Sequence, residues 1–400
     1  MRLRAPPLIL FGLLAIWSPA QDTNRSTLRF RVVPNLGFTP DTGWRLGATA
    51  RWTGYDPGSE RYRWALRLDL TGTTLEQFIP AVELDLARLP GLRRPWRLLS
   101  SLRIRVHPNE PFTGFGNSDF ETGFSPRVDP SFYTYGKAYG RLMSTAFFPL
   151  RGDLHVTGSQ WTLAGGLSGE WGAFAESRSN TAFGRIGPLF VGAPIGSGGG
   201  AWLGARLGLL YDSRDVPLYA RRGVAAEIWW EENFGPVGPL PRESRRFTAA
   251  FKFYLPFLRS FVLANRLTAD LLFGEVPFFM EERTGGEREL SGPGGVDTLR
   301  GMPLHRVKGP AKAIMNTELR FHIPWTDLRL FKAVWQWELA LFTDNGRVWQ
   351  AADPLSFEGL HTTYGGSLRL LWGRDFVVTL ELAWWRGLFG GTYFTVGQAF

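Results

Sequence analysis

The chain has 400 residues, a formal net charge of +9, no cysteine, and 17 Trp, 31 Phe, 10 Tyr and 48 Gly. Without cysteine there is no disulfide, thiol nucleophile or zinc–thiolate site, and basic residues spread through alternating stretches do not form a nucleic-acid-binding face. Beyond the N-terminus no run approaches the roughly 20 apolar residues of a membrane helix; mean hydropathy is −0.11, as expected where lipid-facing and lumen-facing residues alternate in a β-barrel.

Residues 1–20 read as a secretory signal: Arg2 and Arg4, an apolar run from Leu8 to Trp17, then Ser18-Pro19-Ala20 before a cut preceding Gln21. Residues 21–42 follow as a short lead-in. From Gly43 onward the pattern has period 2. Strands are predicted to begin near 43, 60, 80, 97, 131, 152, 161, 200, 222, 245, 260, 311, 334, 361, 375 and 391. That is an all-β, transmembrane antiparallel barrel of about 16 strands occupying 43–400.

The faces are legible strand by strand. Tyr62, Trp64, Leu66, Leu68 and Leu70 are expected outward, with Arg63, Arg67 and Asp69 inward. Leu102, Ile104 and Val106 oppose Arg97, Arg103 and Arg105. In 311–323, Met315, Thr317, Leu319 and Phe321 point outward, and Lys312, Asn316, Glu318 and Arg320 inward. In 334–344, Trp335, Trp337, Leu339 and Leu341 oppose Gln336, Glu338 and Asp344. In 375–386, Phe376, Val378, Leu380, Leu382 and Trp384 oppose Val377, Thr379, Glu381 and Ala383. Trp44, Trp52, Trp372 and Trp384 fall near strand ends, where amphipathic rings meet lipid headgroups.

The connections alternate in length. Phe257–Ser260 and Gly373-Arg374 are tight and suit the periplasmic side; 180–200, 273–309 and 350–360 are long and fall outside the cell. The Gly-rich stretch Gly196–Gly200 lacks a Lys-Ser/Thr ending, so it reads as a flexible loop rather than a phosphate cradle.

The long loop contains Gly294-Gly295-Val296-Asp297-Thr298-Leu299-Arg300-Gly301-Met302. This resembles the Gly-Gly…Arg-Gly-aromatic loop of the bacterial surface-antigen superfamily, the outer-membrane barrels of barrel-assembly and two-partner-secretion translocases. Three further stretches fit in order. Asp212-Ser213-Arg214-Asp215 with Arg222-Gly223 resembles the family's turn between two strands. Asn316–Phe321 resembles the strand after the loop, and Phe342-Thr343-Asp344-Asn345-Gly346-Arg347-Val348 the strand end that follows. Met302 departs from the usual aromatic. Pro34 and Phe38–Gly43 resemble the first-strand lead-in of members lacking periplasmic polypeptide-transport-associated (POTRA) repeats.

The resemblance implies a loop lock. Arg300, followed by Gly301, would reach the lumen-facing acids Glu318 and Asp344 on neighbouring strands. It also implies a weak seam between first and last strands, near 43–54 and 391–400. The expected task is insertion or translocation of a protein or lipid client in the bacterial outer membrane, with outer-membrane lipids around the barrel. Without POTRA repeats, client capture does not carry over. Phe394, Val396 and Phe400 share a face of a terminal strand resembling the recognition signal of barrel clients, with Gln398 a polar departure; the cell's barrel-assembly machinery is the implied partner.

The five histidines, His107, His155, His305, His322 and His361, show no metal-ligand spacing. No metal, cofactor or catalysis is expected. An outer-membrane lipase or acyltransferase would need paired His and Ser, for which His305 with Ser291 in the long loop is the candidate. A passive pore and a surface-loop binding protein are the other readings.

Overall fold

The computed structural model describes residues 28–396, apart from 57–61, 88, 90–94, 118–132, 152–159, 183, 185, 217–218, 238–242, 327, 331–332, 352 and 373–375. The signal over 1–20, the Gly373-Arg374 turn, the strand start near 152, and Gln398 and Phe400 lie outside the described residues.

The strands are β1 (Leu28–Thr39), β2 (Gly43–Tyr55), β3 (Tyr62–Thr73), β4 (Phe78–Leu86), β5 (Arg97–Pro111) and β6 (Thr134–Arg151). They continue as β7 (Gln160–Glu176), β8 (Gly200–Asp212), β9 (Gly223–Val237), β10 (Glu243–Phe257), β11 (Phe261–Gly274) and β12 (Ala311–His322). A three-residue β13 (Leu328–Leu330) precedes β14 (Ala333–Trp349), β15 (His361–Trp372), β16 (Phe376–Trp385) and β17 (Leu388–Val396). Every pairing is antiparallel, and β1 meets β17, so the sheet closes on itself. β13 pairs only with the first residues of β14, beyond the end of β12. Sixteen strands therefore make the wall.

The first strand corrects the lead-in reading of 21–42, because residues 28–39 belong to the sheet. Leu28, Phe30 and Val32 alternate with Arg29 and Arg31, and every residue from Leu28 to Thr39 has a partner on β2. Among the described residues Pro34 is paired only with Ala48 of β2, so its missing N–H can face the other side. Further along, 160–176 is one strand. Among the described residues a single pair, Phe38 opposite Phe394, joins β1 to β17. The seam therefore lies between 28–39 and 388–396 rather than at 43–54.

The wall has inverted polarity. Leu167, Leu207 and Leu341 point outward and are 68%, 57% and 67% exposed. A continuous apolar band of this kind matches the hydrocarbon layer of a bilayer. Inward positions are polar and mostly buried. One outward expectation fails: a register shift at Gly54/Tyr55 turns Tyr62 so that its hydroxyl donates to Asp85 Oδ2 at 2.7 Å on the inner side.

At the rim carrying the long connections, Phe278, Phe279 and Met280 form a short 3-10 turn. They pack with Phe112, Leu189 and Trp202 into an apolar cluster. Leu189 comes from the second of two five-residue helices, α1 (Arg178–Ala182) and α2 (Pro188–Gly192). The Gly196–Gly200 stretch is not a free loop. Phe278 N–H donates to Ile195 O at 2.9 Å, and a Cβ on Gly196 would lie 3.1 Å from Pro277.

Candidate functional site

The connection from β11 to β12, residues 275–310, folds back into the lumen. Its backbone starts with reversals that only glycine accepts without strain. Gly294 and Gly301 have φ of +117° and +93°, and a Cβ on Gly294 would sit 2.1 Å from Pro303 O. Thr298 Oγ1 ties the reversal: it lies 2.8 Å from the carbonyl oxygens of both Gly292 and Gly294, which share its one hydroxyl hydrogen. Leu299 and Met302 then bury completely against Val307, Ile314 and Val348. Methionine fills the place of the family's aromatic because an unbranched thioether adapts to an irregular gap. Gly346 matters here too: a Cβ would approach Leu299 Cδ1 to 2.7 Å.

With Leu299 and Met302 anchored, Arg300 points at the inner wall. Its Nε and Nη2 donate to Asp344 Oδ2 and Oδ1, both at 2.8 Å, a bidentate pair. The Arg300 backbone N–H donates to the same carboxylate at 3.1 Å. Nη1 donates to Glu318 Oε1 at 2.9 Å and to Glu381 Oε1 at 2.8 Å. The guanidinium lies 3.5 Å from the centroid of the Phe342 ring. Burial by itself would disfavour the charged form, but Asp344, Glu381 and Glu318 hold the Arg300 pKa well above its ordinary value.

The acids are shared. Glu318 also accepts from Arg320 at 2.8 Å and from Arg369 at 2.7 and 2.9 Å; Arg369 reaches Glu338 at 3.2 Å. Asn316 donates to Asp344 Oδ1 at 2.8 Å and accepts from Arg266. Every one of these side chains is buried. Four arginines therefore balance four carboxylates in a dry network, the condition under which buried ions are tolerable.

The structure thus brings together Arg300, Glu318 and Asp344. It adds Glu381, which alternation had already put on the inner face without naming it as a partner. The loop tip also reaches the seam. Gly301 N–H donates to Tyr393 Oη at 2.7 Å on β17, and Leu304 N–H to Asp41 Oδ1 at 2.8 Å in the β1–β2 turn. Burial raises the Asp41 pKa to about 6 despite the Leu304 N–H.

A second anchor was not legible in sequence. His305 Nδ1 lies 3.0 Å from Glu110 Oε1, and His107 Nδ1 2.6 Å from Glu110 Oε2. Beside them Glu282 accepts from Lys137 at 2.6 Å, from Tyr135 at 3.1 Å, and pairs with Lys308 at 3.2 Å. Glu110, Glu282 and His305 could between them offer three metal ligands. Two ammonium groups already neutralise the carboxylates, so a divalent cation would meet like charge, and the cluster is an ion-pair network. Burial would raise the Glu282 pKa, but Lys137 and Lys308 bring it down to about 2. His305 is thereby committed to Glu110, while Ser291 Oγ donates to Gly294 O at 3.2 Å; the structure does not bring these two together.

The remaining family positions are structural in their contacts. Arg214 grips Asp212 through Nε and Nη2, at 3.0 and 2.7 Å, and Asp215 Oδ1 accepts from the N–H groups of Val216 and Arg221. Gly223, at φ +106°, closes that turn, where a Cβ would lie 2.4 Å from Ser213 O. Phe394 stands opposite Leu380, and Val396 opposite Val378.

Residues 196–374 match the Omp85 superfamily domain. Similar solved structures include BamA from Haemophilus ducreyi lacking POTRA domains 1–3, with TM-score 0.57, 14% identity, and coverage of 94% of this chain and 71% of that one. CdiB from Acinetobacter baumannii has TM-score 0.55 and 11% identity over 94% of this chain and 60% of that one. CdiB from Escherichia coli has TM-score 0.54 and 11% identity over 92% and 63%. At these identities the likeness is one of fold, and the chain spans less than two thirds of either CdiB chain. No curated protein sequence matches.

Proposed function

We propose that this chain, whose residues 196–374 form an Omp85 superfamily domain, assists insertion or translocation of a protein or lipid client in the bacterial outer membrane. The observation that carries the reading is the coincidence of two features. A loop arginine is held by three lumenal carboxylates, and among the described residues the wall beside that loop is joined across one seam by a single residue pair. A plain pore needs neither. Arg300 with Gly301, Glu318, Asp344 and Glu381 would fix the loop, and the β1–β17 seam would be the part of the wall that yields. In this orientation the long connections face outward from the cell, and the surrounding lipids and the cell's assembly machinery are the barrel's other partners.

The test is quantitative proteomics of outer membranes with and without the protein. Selective loss of one barrel or surface protein is the expected result; an unchanged proteome together with large, client-independent conductance would replace this reading with a passive pore. The pore reading draws on one observation, that part of the lumenal wall remains exposed to water.

A further inference from the structure

The two halves of the lumenal wall differ in how their charges are met. On β11–β16 every described inward charge is buried and either ion-paired or hydrogen-bonded, and the loop covers this side. On β1–β5, inward Arg51 and Arg103 are exposed although they face the interior, so water reaches that side of the lumen.

Three inward arginines there have partners: Arg63 with Asp56 at 3.8 Å, Arg67 with Asp69 at 2.8 Å, and Arg97 with Asp85 at 2.8 Å. Arg31, Arg45, Arg51, Arg103 and Arg105 make no ion pair with any described residue. Glu83, the remaining described inward carboxylate of this wall, stands directly opposite Arg67 and attracts Arg103 without forming an ion pair with a described residue.

The arrangement is costly for the barrel alone. Arg31 stands directly opposite Arg51, and Arg51 directly opposite Arg67, giving three guanidiniums in a row across adjacent strands. Like charges directly opposite destabilise a sheet. Arg45, Arg103 and Arg105 lie nearer the long-loop rim and repel one another, offset in part by Asp297 of the loop, which attracts Arg45 and Arg103. Through the ladder Arg103 lies level with Thr49, two residues from Arg51, so the cations step along the wall from Arg45 to Arg51, six residues or about 20 Å of strand.

We propose that this wall is a docking track for an extended, acidic polypeptide segment. A compact anion can meet only part of a row this long. An extended chain carrying carboxylates reaches along its length, each guanidinium offering the planar fork that fits a carboxylate. The inference deepens the proposed function by naming a client chemistry, and rests on it.

The test uses the purified full chain in lipid nanodiscs and a fluorescein-labelled peptide of alternating Glu and Ser, about twelve residues long so that it spans the row from Arg45 to Arg51. Anisotropy is read at about 50 mM salt, where screening is modest. The expected result is saturable binding that an alternating Lys-Ser peptide does not reproduce. Arg31→Gln/Arg51→Gln and Arg103→Gln/Arg105→Gln should each weaken binding by about tenfold, since each removes two charge-assisted contacts. Heat-modifiable gel migration checks that the variants are folded barrels. Equal binding by wild type and both variants would overturn the track. So would full displacement by inorganic pyrophosphate at equal charge, because one compact anion would then suffice. Because the assay needs no client, it can fail while depletion still alters the outer-membrane proteome; then the track is wrong and the function stands.

Discussion

Arg300 and Asp344 meet fork to fork, through two bonds of 2.8 Å between residues forty-four apart in sequence, and the backbone N–H of Arg300 adds a third contact to the same carboxylate. A side chain seated this way fixes the loop's direction as well as its position.

Replacing Arg300 by Ala leaves Asp344, Glu318 and Glu381 buried with one fewer cation. The expected loss is about 3–5 kcal/mol, the range for breaking a buried ion pair from one side. Thermal or denaturant unfolding in detergent measures it, with limited proteolysis inside 275–310 as a second readout. Arg300→Lys should recover little, because an ammonium cannot make the bidentate contact. A variant as stable and as protease-resistant as wild type would remove the lock from the proposal.

The loop's docking should weaken as the medium becomes less acidic. Burial raises the Asp41 carboxyl to about 6 and the Glu281 carboxyl to about 7, above their unfolded values of 3.8 and 4.5. A raised acid prefers its proton in the folded state, so its contribution is fully present below the unfolded pKa and is lost as pH rises through the folded one. The nearby Glu110 carboxylate adds to the effect at Asp41. Protease sensitivity of 275–310 should therefore increase between about pH 4 and pH 7. Asp41→Asn with Glu281→Gln should flatten the profile; an unchanged slope in the double variant would assign the effect elsewhere.

Phe38→Cys with Phe394→Cys places the chain's only two cysteines at directly opposed positions of an antiparallel pair. Opposed Cα atoms there lie about 4.5–5.5 Å apart, within disulfide range. Oxidation should close the seam and stop client handling, and reduction should restore it. Full client handling in the oxidised protein would mean that the seam stays shut in normal work.

Met302 is completely buried with Leu299 and Val307. Met302→Ala should cost about 2–5 kcal/mol through lost burial and a residual cavity, read as a lower unfolding midpoint. Met302→Leu conserves volume and should cost less than about 1.5 kcal/mol.

Much of the barrel is readable from period 2 alone. Lys312, Asn316, Glu318 and Arg320 were expected inward and are buried, because a strand leaves its side chains only two faces. Glu381 shows the limit. Alternation assigns its face, but its contact with Arg300 crosses eighty-one residues and the curvature of the wall. Glu110 with His305 is a sharper case, since residues 195 apart meet only because the loop dives into the lumen. The β1 error has a local cause. Pro34 and the Pro40–Gly43 turn look like a break, and Pro34 is compatible with a strand only because β1 borders the seam.

Gly301 holds Tyr393 on one side of the seam and Leu304 holds Asp41 on the other, through backbone N–H groups of a single short turn. Separating β1 from β17 by more than a fraction of a hydrogen bond must therefore break one of these contacts. Loop release and wall opening are then linked equilibria, and linkage is reciprocal. Whatever free energy the docked loop adds against opening, an opened wall subtracts from the loop's affinity for the lumen. A client that pries the wall apart would expel the loop without touching Arg300.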